Sequence, residues 1–138
     1  MVYRVFLSST SQDLVAHREA VLAAIAGLDD FEPVAMENFG ARAAAAVDFD
    51  DRLVRESNVL VGVLGLCYGS SPRDGPPSFT EREYDSAIAG GIDRLMLVSP
   101  DDFPVPGHLI EPDEQRQRQQ AFRTRVKTDL VAEVSDVA

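Results

Sequence analysis

Two carboxylates stand within one short run, Ser78-Phe79-Thr80-Glu81-Arg82-Glu83-Tyr84, at the expected start of a helix. A carboxylate facing the ends of the preceding strands can stabilise an oxocarbenium-like ribose while a glycosidic bond breaks. A single such group suits loss of a base that departs readily, whereas polysaccharide hydrolysis generally needs a pair. The same run has a purely structural use, because Thr80-x-x-Glu83 spells a capping box whose side chains would satisfy the first helix amides. A helical wheel puts Tyr84, Ala87 and Ile88 on the buried stripe and one glutamate on each of its edges. Periodicity therefore leaves Glu81 and Glu83 both open.

Other polar groups fall near the same place. Ser8, Ser9 and Thr10 follow an apolar strand and could hold phosphate or ribose through hydroxyls and helix-start amides. Helix capping by Thr10 with Asp13, or by Ser11, competes for that role. Glu37 ends the second expected strand, where an acidic side chain can hold ribose hydroxyls, or simply be a solvated loop charge. Tyr68 and Ser78 complete the candidate set on the loop leading into the helix. Cys67 has no cysteine partner and reads as a small buried hydrophobe. His17 and His108 lie far apart, so no metal signature exists. Neither a Walker loop nor GxGxxG is present.

These residues need a frame, and the chain alternates strand and helix. Tyr3 to Ser8 reads as a buried strand, followed by a helix to about Leu28 with Leu14, Val21, Ile25 and Leu28 inward. Phe31 to Met36 reads as an edge strand, because Pro33 cannot donate to a ladder. Ala43 to Glu56 follows as a helix. Val59 to Leu66, made of Val, Leu and Gly, suits a central strand covered on both faces. Thr80 to Ala89 forms the third helix, ended by Gly90 and Gly91, and Leu95 to Val98 a fourth strand. After a loop carrying Pro104, Pro106 and Pro112, a fourth helix runs to Lys127, and Leu130 to Val134 is a fifth strand. The expectation is a three-layer, flavodoxin-like α/β domain with a parallel sheet in the order 2-1-3-4-5. Its ligands would sit between the carboxyl ends of strands one and three.

Bulk properties exclude several classes. At 138 residues, with 45% hydrophobic and 26% charged residues, the chain is one ordinary globular domain. Its longest apolar run, Val59 to Tyr68, is too short to span a bilayer, and no signal peptide is visible. A net charge of -10 argues against nucleic acid and anionic membranes as partners. The late bases Arg116, Arg118, Arg123, Arg125 and Lys127 read as a solvated helix face, with Glu111, Asp113 and Glu114 at the helix's acidic start. A lone cysteine fits a reducing, cytoplasmic setting.

Taken together, these segments resemble the Toll/interleukin-1 receptor (TIR) domain. Val5-Phe6-Leu7-Ser8-Ser9-Thr10 with Asp13 resembles its opening strand, and Glu56-Ser57 through Tyr68-Gly69-Ser70 the segment before its catalytic helix. Thr80-Glu81-Arg82-Glu83-Tyr84 resembles its W-C-x-x-E region, with Glu83 in the glutamate position and Thr80-Glu81 in place of Trp-Cys. The Ser-Phe-Thr-Glu-x-Glu-Tyr run and Met36-Glu37-Asn38-Phe39 are most similar to the TIR-like family called domain of unknown function 4062. Nucleoside deoxyribosyltransferases share a related fold and place a glutamate similarly. The resemblance implies Glu83 as the catalytic carboxylate of an NAD nucleosidase, with NAD as substrate and no cofactor. It equally implies a non-catalytic self-association module or a base-exchange transferase. It further implies that the chain is the N-terminal piece of a longer protein bearing a STAND-type NTPase and repeats.

Overall fold

Apolar strands separated by helices have one economical arrangement, a parallel sheet with helices on both faces. The computed structural model, which describes residues 1–10, 12–35, 46–72 and 75–129, has that arrangement. Strand β1 spans Tyr3–Ser9, helix α1 Val15–Ala26, β2 Phe31–Ala35 and α2 Ala46–Glu56. They are followed by β3 Val59–Leu64, α3 Phe79–Ala89, β4 Asp93–Val98, a 3₁₀ turn at Gly107–Leu109 and α4 Asp113–Asp129. The described sheet is parallel throughout, in the order β2-β1-β3-β4. The expected fifth strand, Leu130 to Val134, lies outside the described residues, as do the expected first residues of α2.

Alternation along the strands divides the core in two. Val5, Leu7, Val61 and Val63 face α1 and pack with Leu14 and Ile25. Phe6, Leu60, Leu64, Met96 and Val98 face the other way, against Leu53 and Val54 of α2, Tyr84 of α3 and Phe122 of α4. Leu28, expected on the inner face of α1, is 53% exposed, because the helix ends at Ala26 before reaching it. Pro33 lies opposite Val5 on the edge strand, where its missing N–H costs no ladder bond. Gly62 at the sheet centre makes room for Met96: a Cβ there would lie 2.3 Å from Met96 Cε and 2.7 Å from its Sδ, so the methionine would have to move.

Arg116, Arg118, Arg125 and Lys127 of the fourth helix lie on a solvated face as expected, but Arg123 does not. Gln119, Phe122, Arg123 and Val126 are buried, and Arg123 is only 1% exposed. Its guanidinium donates to the Gly65 carbonyl at 3.1 Å, to the Ser99 carbonyl at 2.9 Å and to Asp101 Oδ1 at 2.9 Å. Gln119 also donates to Gly65, at 2.7 Å. One long cation thereby joins α4 to the carboxyl ends of β3 and β4, meeting carbonyls that the ladders leave over.

Arg123→Ala should therefore cost on the order of 3 kcal/mol, through buried carbonyls left short of donors. Urea denaturation reads this directly. A loss under about 1 kcal/mol would mean that α4 docks through Phe122 and Val126 alone.

Candidate functional site

The carboxyl end of β1 carries the first group of polar side chains. Ser8 is 2% exposed, and its hydroxyl donates to Glu83 Oε1 at 2.7 Å. Ser9 accepts from the buried Arg18, whose Nη1 lies 3.0 Å from the Ser9 carbonyl and 2.5 Å from its Oγ. The Thr10 hydroxyl donates to Asp13 Oδ1. The expected capping of α1 by Thr10 is thus corrected. The helix begins after Leu14, which provides no side-chain cap, and the Thr10–Asp13 bond closes the preceding turn instead. Ser11 lies outside the described residues.

At the end of β3 the chain turns through Gly69, whose φ is +81° and whose Cβ position would fall 2.6 Å from Thr10 Cγ2. Only glycine fits there. The turn presents two successive amides inward, and Glu111 occupies both: Tyr68 N–H donates to Oε1 at 2.5 Å and Gly69 N–H to Oε2 at 3.0 Å. Glu111 was expected to begin α4. That helix starts at Asp113, and the Glu111 carboxylate is bound to backbone across the rim.

Helix α3 begins one frame earlier than Thr80-x-x-Glu83 suggests. Ser78, extended at φ -63° and ψ 163°, is the N-cap, and its side chain accepts from Glu81 N–H. Glu81 does not reach back to close the box. Instead, the Tyr68 hydroxyl accepts the Ser78 N–H at 3.1 Å and donates to Glu81 Oε1 at 2.5 Å. Burial, and then the hydrogen bond to Glu81, raise the Tyr68 phenol above its ordinary range. Thr80 lies inside the helix. The buried face is Phe79, Thr80, Glu83, Tyr84 and Ala87, whereas Ile88 is 43% exposed. The buried face is thus turned from the expected stripe, with Glu83, only 2% exposed, inside and Ile88 outside, and Ser8 supplies Glu83 with a polar partner.

Two concavities flank the first turn of α3, and Phe79 borders both. The larger, about 780 Å³, is lined by Ser9, Thr10, Arg18, Gly69, Thr80 and Glu111 among others. The smaller, about 290 Å³, lies between the starts of α2 and α3, where Glu83 meets Asp48, Asp50, Asp51 and Asp85. Of the expected site residues, Ser9 and Thr10 line the large cleft and Glu83 the small hollow. Ser8, Tyr68 and Ser78 lie beneath, holding other groups in place. Glu37 falls outside the described residues. Sequence reasoning missed Arg18, a buried cation in a helix turn with no pattern to mark it, and the new role of Glu111.

Cys67 is buried, with its Sγ 3.6 Å from the Leu109 carbonyl. Burial, the Asp13 carboxylate and then Glu111 push its thiol up to about 12. It stays protonated at neutral pH and is no nucleophile. Among the described residues no His, Cys, Asp or Glu cluster could hold a metal, and no helix is long and apolar enough to cross a membrane.

Residues 4–138 match the family described as a domain of unknown function, DUF4062. The chain belongs to that family. No curated protein matches this DUF4062 chain by sequence. Among solved structures, it is similar to a 2-desoxiribosyltransferase from Leishmania mexicana at a TM-score of 0.59 and 14% identity, covering 97% of this chain and 90% of that one. A prokaryotic SEFIR domain matches at a TM-score of 0.44 and 12% identity, over 90% and 97% of the two chains. The transferase likeness shows a shared fold.

Tyr68→Phe should cost about 1–3 kcal/mol, since it strips the buried Ser78 N–H of its acceptor. Thermal denaturation measures it, and an unchanged midpoint would show the Tyr68 bridge to be dispensable. Native Cys67 should react with iodoacetamide at about pH 8 at least ~10-fold more slowly than in the urea-unfolded chain. Mass spectrometry checks this, and equal rates would contradict a protonated, sheltered thiol.

Proposed function

We propose that the chain is a TIR-like signalling or effector domain that, once assembled, breaks the N-glycosidic bond of NAD or a related nucleotide. The supporting observation is the position of Glu83. It lies at the switch point of the sheet, beside the carboxyl ends of β1 and β3, with a 2.7 Å hydrogen bond from Ser8 fixing its carboxylate. The hollow that it borders carries more acids than bases, Asp48, Asp50, Asp51 and Asp85 against Arg82, which suits a cationic nicotinamide ribosyl group. In the reaction the bond from ribose C1′ to the ring nitrogen breaks, and its electron pair leaves with neutral nicotinamide. Glu83 stabilises the ribosyl cation until water adds and loses a proton. No general acid is needed for this leaving group, so one carboxylate suffices.

A second reading rests on the depth of Glu83, 2% exposed beneath Ser8. There the glutamate is a core polar group, and the domain is a self-association module at the N-terminal end of a longer protein carrying a STAND-type NTPase and repeats. The fold shared with a 2-desoxiribosyltransferase supports a third: a second nucleobase takes the place of water, and a nucleoside exchanges its base.

The chain, alone and artificially clustered, should be incubated with NAD while free nicotinamide is measured. Glu83→Gln should lose at least ~100-fold of the activity and Glu81→Gln should keep most of it. Turnover absent in every assembled state rejects the nucleosidase in favour of the interaction module. Base exchange on nucleosides without NAD cleavage selects the transferase.

A further inference from the structure

Paired backbone amides aimed into a cleft are an anion seat. Here they belong to Tyr68 and Gly69, and the seat is filled by Glu111 of the same chain. Both carboxylate oxygens are used, one on each amide, as a phosphoryl group would use two of its own. Gly69 has the positive φ that turns the second amide inward, and the crowding by Thr10 leaves no room for a side chain. Glu111 comes from the segment between the Gly107–Leu109 turn and α4, 42 residues beyond Gly69 in sequence. The cleft around it, about 780 Å³, is in the size range of small-molecule sites. Its wall includes the guanidinium-bearing Arg18, 7% exposed and already bonded to Ser9, together with Thr10, Ser70 and Thr80. A buried cation, hydroxyls and two convergent amides form a donor set for phosphate, in a wall that also carries the Asp13 carboxylate, to which Thr10 donates.

We propose that this cleft binds a phosphoryl group on the Tyr68 and Gly69 amides, and that Glu111 is its built-in competitor, which the ligand displaces. The seat would anchor the phosphates of the nucleotide in the proposed reaction, but its evidence is independent of Glu83. Glu111 holds the donors paired while the cleft is empty and sets the concentration at which a ligand takes over. Displacement removes the Glu111 tie between the segment from Pro106 to Pro112 and the turn after β3, leaving the Cys67–Leu109 contact, so occupancy of the cleft is coupled to the position of that segment.

Amide resonances of Tyr68 and Gly69 should be followed by NMR while inorganic phosphate, AMP and ADP-ribose are titrated into the whole chain, with sodium chloride as the ionic-strength control. Both resonances should shift and saturate with the phosphoryl ligands and not with chloride. Glu111→Gln removes the competing charge and should tighten phosphate binding at least ~10-fold. Thermal midpoints give a second readout: phosphate should raise that of the variant more than that of the unmodified chain. Nucleotides binding more tightly than inorganic phosphate would assign the seat to a nucleotide, and equal affinities to free phosphate. Tyr68 and Gly69 resonances unmoved by all three ligands, in both proteins, would overturn the proposal. Both proteins titrated, the unmodified chain and Glu111→Gln, keep Glu83, so the two readouts are independent. Phosphate binding without any nicotinamide release would therefore sink the reaction and keep the seat, and nicotinamide release without these shifts would do the reverse.

Discussion

A carboxylate buried between a strand end and a helix is costly unless its surroundings donate to it. The Ser8–Glu83 hydrogen bond meets that condition, and much of the rim is arranged around it. Ser8 must be the inward residue at the end of β1, so the register of β1 against β3, with Ser8 opposite Gly62, is tied to the register of α3 above it. The start of α3 is in turn set by Ser78, whose amide is held by the Tyr68 hydroxyl at the far end of the β3 loop. The Ser8–Glu83 and Tyr68–Ser78 bonds thus tie the end of β1, the loop after β3 and the start of α3 to one another.

The same logic runs along the carboxyl edge of the sheet. Strand ends leave carbonyls and amides without ladder partners, and each set is met here by a polar side chain from another element. Arg18 serves β1, Gln119 and Arg123 serve β3 and β4, and Glu111 serves the turn after β3. Several of these side chains are charged, which concentrates electrostatics at the end of the fold where ligands of doubly wound sheets bind. Phe122 and Val126 of α4 and the alternating Val and Leu residues supply the non-directional part of the stability. The polar rim supplies direction.

Legibility from sequence follows the range of the interactions concerned. Strand β3 was readable because Val59–Leu64 is apolar on both faces, and β2 was readable as an edge because Pro33 states it locally. The start of α3 was misread because Ser78-x-x-Glu81 and Thr80-x-x-Glu83 are equally good local frames. What separates them is the Tyr68 hydroxyl, 10 residues before Ser78. Ile88 looked buried and Glu83 marginal, since a wheel counts polarity and cannot see Ser8, 75 residues away in sequence. Glu111 and Arg123 failed for the same reason. Their charges suggested solvent and a helix dipole, and the partners that draw them inward lie on distant strand ends.

The two glutamates at the rim are therefore held in opposite ways. Glu111 rests on two backbone amides, whose dipoles offset its charge and make it a poor stabiliser of a cation but a good stand-in for an anion. Glu83 accepts from a hydroxyl and borders a hollow shared with Asp48, Asp50, Asp51 and Asp85, where Arg82 also lines the wall and Arg55 and Arg125 pair with Asp51 and Asp85, so acids outnumber bases there. The acid-lined hollow and the cleft proposed to seat a phosphoryl group share Phe79 as a wall. A ligand that satisfies both must be cationic at one end and anionic at the other, with an apolar or stacking element between. A pyridinium nucleotide has that polarity, whereas an uncharged nucleoside matches neither end. Within the function proposed above, that polarity is the electrostatic argument for a charged dinucleotide rather than a neutral nucleoside as the ligand.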